Sequence, residues 1–185
     1  MLIDTSNKVD SKELADEEII RLVGFRVNPD VEGVEFYSLL LEAKEDRPLI
    51  IDEQLIFFTK VSMAPKIVER SDFGKAIARF KPCEEIDYCC DIAETLYLIS
   101  SQGVDHKAVV LNCLNTLFDL IKGTNSPTPK ELKRVLFAFA DHLTFHRELE
   151  PFFEEKDISR RAIIDAIFWY LGAILTRARI LTTEA

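Results

Sequence analysis

Apolar positions recur along this chain with two different rhythms, and the change comes near residue 82. From there on they fall at helical spacing. Ile86, Cys89, Cys90, Ala93, Leu96, Tyr97 and Ile99 make one such row before Gly103. Val109, Val110, Cys113, Leu114, Leu117, Phe118 and Ile121 make a second, which Asp105 opens and Gly123 closes. Leu132, Val135, Leu136, Phe139 and Leu143 make a third, predicting a helix to about Leu149 that Pro151 limits. Thr128-Pro129-Lys130-Glu131 reads as its capping box, with Pro at the first helical position. The fourth element is Asp157 to Leu181, where Ala162 to Leu175 is apolar except for Asp165 and Gly172. A helix that is apolar all round must be enclosed by protein or lipid. At this length it cannot cross a bilayer, which needs about 20 apolar residues. Enclosure by neighbouring helices or by a second subunit follows.

The first 80 residues are patterned differently. Ser11 to Leu22 predicts a helix ended by Gly24, and Asn28-Pro29-Asp30 with Gly33 predicts a turn. Val34 to Lys44 fits a strand or a helix. The runs PLII and QLIFFTKV, separated by Asp52-Glu53, predict a β-hairpin within residues 48–61 that is buried on both faces. Pro65 suits the first turn of a short helix from Ala64, and a second short helix is expected over Phe73 to Phe80. The expected fold is therefore α+β and predominantly helical. A small N-terminal lobe with the hairpin (residues 1–81) packs on a C-terminal antiparallel four-helix bundle (82–185).

Composition narrows the functional classes. The chain has 185 residues, 48% hydrophobic and 30% charged, the balance of a globular protein. Its formal net charge is −9, with the acid excess spread over both halves. No basic run exists to meet nucleic acid or an anionic membrane. Cys83, Cys89, Cys90 and Cys113 form no Cys-x-x-Cys pair, and Met1 to Asp10 does not read as a secretory signal. A cytoplasmic location with reduced thiols is the simplest account.

Chemistry is sparsely signalled. His142 and His146, four apart, place two imidazoles on one side of a helix, a spacing that suits a transition metal. Asp165 on the last helix, or Glu150, would supply the carboxylate. The His-Glu-x-x-His pattern and the Glu-x-x-His of di-iron bundles are both absent, so the plainer reading is two rings on the polar edge of an amphipathic helix. Asp165 is expected to pair with Arg160, Arg161 or His142, or to surface. Arg177 and Arg179 suit the C-terminal end of a helix. There is no Gly-x-Ser-x-Gly elbow and no Gly-rich phosphate loop, so no cofactor is indicated. Two functions remain. The first is a non-enzymatic protein that binds another protein as an adaptor, inhibitor or regulatory subunit and self-associates, since the last helix carries more apolar surface than a bundle covers. The second is a metal-binding protein or metal-dependent enzyme using His142, His146 and Asp165. A small-ligand pocket between the lobes, lined by Phe57 and Phe58, ranks third.

Overall fold

The computed structural model describes residues 18–80, 85–101, 106–146 and 148–182. Its organising element is a mixed sheet of seven strands: β1 (Ile19–Arg26), β2 (Phe36–Glu42), β3 (Arg47–Pro48), β4 (Ile50–Ile51), β5 (Gln54–Phe58), β6 (Tyr88–Asp91) and β7 (Ala178–Leu181). β1 is antiparallel to β2 and parallel to β6, while β5 is antiparallel to β2 and β4 and parallel to β7. Six helices accompany it among the described residues: α1 (Ala64–Glu69), α2 (Ile92–Ser100), α3 (Lys107–Lys122), α4 (Lys130–Phe145), α5 (Glu150–Glu155) and α6 (Arg160–Leu175).

Successive residues of a strand point to opposite faces, so a strand buried on both sides reads as an unbroken apolar run. β5 shows this directly. Leu55 and Phe57 join the core beneath α2 to α6, while Ile56 and Phe58 join a second core beneath α1. β1 divides likewise, with Val23 and Phe25 on the helical side and Ile20 and Leu22 on the other. The result is three layers: a thick helical layer, the sheet, and a thin layer of α1 with the 3-10 turn Gly74–Arg79.

The expectation of a four-helix bundle carrying a small hairpin lobe is corrected by this sheet. Three segments expected to be helical are strands. Ile19 to Gly24 lies in β1, paired with β2 on one side and β6 on the other. Cys89 and Cys90 lie in β6 rather than in the row before α2, and Ala178 to Leu181 leaves α6 to pair with β5. β6 and β7 are four residues long and each adjoins a helix, so periodicity alone could not separate them from a helical turn, while the acidic stretch before β1 reads as a helix start; pairing with other strands settles all three. Gly24 belongs to the middle of β1 and does not end a helix. A Cβ there would sit 2.7 Å from Val34 Cγ2 and 3.1 Å from Ile86 Cδ1, so close approach of the backbone requires glycine.

Smaller differences have local causes. Asp52 and Glu53 join β4 to β5 with φ of 52° and 63°, the positive pair of a type I′ turn held without glycine. The segment left open between strand and helix is β2. α4 starts at Lys130 with Pro129 at the cap position, where it has no side-chain acceptor to offer, so the capping box expected at Thr128 does not form; Thr128 hydrogen-bonds Tyr170. It ends at Phe145, and Pro151 sits in the first turn of the separate helix α5. The expected start at Ser11, the helix start that Pro82 with Glu84-Glu85 suggests for the first row, the start at Asp105 and the stop at Gly103 fall on residues outside those described, Glu85 excepted. α2 is capped by Asp91, whose carboxylate accepts the Glu94 N–H at 2.9 Å and the Arg26 Nε–H at 2.8 Å, tying β6 and α2 to β1.

Candidate functional site

The two histidines meet, and Asp165 stands apart. His142 and His146 stack with ring centroids 4.3 Å apart and planes 12° from parallel. His142 is buried, and its Nε2 lies 3.1 Å from the Glu148 carbonyl oxygen. A carbonyl can only accept, so Nε2 carries the proton and is committed as a donor. Asp165 is half exposed and forms an ion pair with Arg161, whose Nε lies 2.8 Å from its carboxylate, one turn away. Glu150 receives Arg160 Nη2, while the same guanidinium lies 4.2 Å from the Phe153 ring centre. Among the described residues, no group of three or more His, Cys, Asp or Glu side chains is arranged to hold a metal ion. His142, His146 and Asp165 thus form a stacked pair and a separate surface ion pair.

α6 carries a more distinctive feature. Its inner side, formed by Ile163, Ala166, Ile167, Tyr170 and Ile174, is buried against the helical core. Its outer side is not enclosed. Phe168 is 55% exposed and Leu175 66% exposed, with Ile164 and Leu171 half-buried in the same stripe. Gly172 lies between Phe168 and Leu175 on this face. No atom outside its immediate neighbours lies within 4 Å of where its Cβ would be. Glycine inside a helix costs about 0.5–1 kcal/mol relative to alanine, and nothing among the described residues requires it here.

Beside this stripe, Leu171 and Leu175 wall a cavity of about 230 Å³ whose lining is wholly apolar. Phe25 and Phe57 form its sheet side, and Val27 and Ile180, each 46% exposed, stand at its mouth. Leu171 and Leu175 belong both to the outer stripe of α6 and to the wall of this cavity, so the two adjoin.

A polar cleft of about 320 Å³ lies between α3 and the sheet. Asn112, Thr116 and Asp119 of α3 line one wall, and Arg21 of β1, Glu42 of β2 and Tyr88 of β6 the other. Burial pushes the Tyr88 phenol up to about 12, opposed by its hydrogen bond to Thr116. Burial likewise raises the Asp119 carboxyl, although Lys122 Nζ at 2.7 Å works against it. Asn112, Thr116 and Asp119 recur at helical spacing on α3, a polar row that the sequence displays and that the apolar row beside it overshadowed. Deeper in, Cys90 and Cys113 lie fully buried with sulfurs 3.6 Å apart, as thiols.

No helix among the described residues is long and apolar enough to cross a membrane. Comparison of the chain with protein-family models, with curated proteins and with solved structures gives no match.

Proposed function

We propose that this is a non-enzymatic cytoplasmic protein that works through protein–protein contact, as an adaptor, inhibitor or regulatory subunit, and that it self-associates through the outer side of α6. The carrying observation is the placement of Phe168 and Gly172 one turn apart on an exposed apolar stripe. They are about 6 Å apart along the helix axis at 1.5 Å per residue. When two α6 helices pack antiparallel about a twofold axis between these positions, each Phe168 ring sits over Gly172 of the second copy. A patch that carries both knob and hole is self-complementary, as a twofold interface needs. Cys90 and Cys113, in contact but unlinked, suit a reducing compartment.

Sedimentation equilibrium over the micromolar range tests the reading. The wild type is expected at twice the chain mass of 21.2 kDa. Phe168→Ser removes the knob and Gly172→Leu fills the hole, and each should return the protein to the single-chain mass with its circular dichroism unchanged. A wild type that stays at 21.2 kDa throughout, or a dimer indifferent to both substitutions, overturns the proposal.

A further inference from the structure

We infer that the apolar cavity between α6 and the sheet binds a small uncharged hydrocarbon, an aromatic ring with a short alkyl chain and no polar group. The inference does not rest on self-association. The cavity is walled by the sheet and by α2, α3 and α6. Leu117 and Leu120 of α3 and Ile174 of α6, all buried, close it on the helical side. Phe25 and Phe57, whose rings meet edge to face at 5.3 Å, close it on the sheet side. It opens between α6 and β7, where Leu175 and Ile180 are exposed.

Protein interiors are packed to crystal density, and voids larger than a water molecule are few. This one measures about 230 Å³. Water is a poor occupant, because an ordered water needs about two to four polar partners and no lining residue has a polar side chain to offer. A charged or hydrogen-bonding ligand would be left unpaired in the same way. Hydrocarbon gains by entering, since it leaves water and gives the walls the contacts they lack. A dry cavity of about 150 Å³ takes a benzene-sized guest. By proportion, one of about 230 Å³ takes about nine carbon atoms. Phe25 and Phe57 offer a ring edge and a ring face, which favours an aromatic guest. The mouth lies at the surface, so a guest enters without the core unfolding.

Propylbenzene is the probe. An NMR titration of the full chain, with Ile, Leu and Val methyl groups labelled, reads both affinity and place. The methyl signals of Leu117, Leu120 and Ile174 should shift and saturate within the solubility of the ligand. Those of Ile56 and Ile67, in the core on the other face of the sheet, should stay in place. The diol analogue, with one hydroxyl at the para position of the ring and one at the chain end, must bury one of them without a partner. It should bind about tenfold or more weaker. Leu117→Phe fills the space from the floor and should weaken propylbenzene by about tenfold or more. Equal affinity for the two ligands, lining methyls that do not shift, or affinity unmoved in a folded Leu117→Phe variant overturns the site. If that variant fails to fold, the comparison of the two ligands on the wild type decides alone. Phe168→Ser should bind propylbenzene as the wild type does, because Phe168 is not among the lining residues. Binding lost there overturns a site that one chain completes by itself. A wild type that binds propylbenzene yet sediments as a single chain supports the site and overturns self-association alone.

Discussion

The two sides of α6 are made of similar residues and sit in opposite surroundings. Ile163, Ala166, Ile167, Tyr170 and Ile174 are 0–3% exposed, while Phe168 and Leu175, on the same helix, are more than half exposed. The inner side meets α2, α3 and α4, which turn their own apolar faces toward it. The outer side is left open at Phe168 and Leu175, which form an apolar stripe with half-buried Ile164 and Leu171 beside the exposed Arg161–Asp165 pair. Hydrophobic composition therefore specifies that a surface is to be covered, and the fold decides whether the chain covers it by itself.

The contrast is broken most strongly from the inside. Ile167→Ala removes three carbons from a fully buried site, and large-to-small changes of this kind cost about 2–5 kcal/mol. On the outside Phe168→Ala should move single-chain stability by no more than about 0.5 kcal/mol, as surface changes do. Urea unfolding at a concentration that favours the single chain measures both, and equal losses would erase the distinction between the two sides. Next comes Gly172→Ala. With open space around its Cβ, alanine should stabilise the single chain by about 0.5–1 kcal/mol through helix propensity. A loss there would mean that Gly172 serves the fold of one chain and not a contact between two.

A smaller effect sharpens the comparison at α3, where a carboxylate lies half inside. The folded-state value of Asp119 is raised by burial above its ordinary 3.8. A raised acid contributes stability that is present below the unfolded value and lost as pH rises through the folded value. Asp119→Asn should therefore gain on the wild type as pH climbs from below 3.8 towards neutrality, and the two should converge in acid. Thermal unfolding across that range checks it. A gain in acid that vanishes at neutral pH would reverse the sign and show that the Lys122 pairing outweighs burial.

Much of the helical layer was readable from residues alone. The rows of α3 and α4, the end of α3 at Gly123 and the short helix at Pro65 follow from spacing and punctuation. The strands β1, β6 and β7 were not readable. Ile19–Arg26 follows an acidic stretch that favours a helix start, and Tyr88–Asp91 abuts a true helix. A strand is stabilised by neighbours, and those of β6 and β7 lie far away in the chain. For the sites, the His142–His146 spacing was legible and brought two rings together, but among the described residues no third ligand joins them. Gly172 was visible only as an interruption in an apolar run. Arg179 read as a helix-end charge because β7 itself was hidden.

Sequence alone determined that this chain is α+β, acidic, rich in helix after residue 82, and provided with one helix whose apolar residues run all round. Those properties rest on composition and on periods of a few residues, which local geometry imposes. Only the tertiary structure decided that β1, β6 and β7, far apart in the chain, share one sheet, and that α6 is buried on one side and largely open on the other. Each depends on contacts between residues far apart in sequence, and the energy of such a contact belongs to the pair and not to either residue.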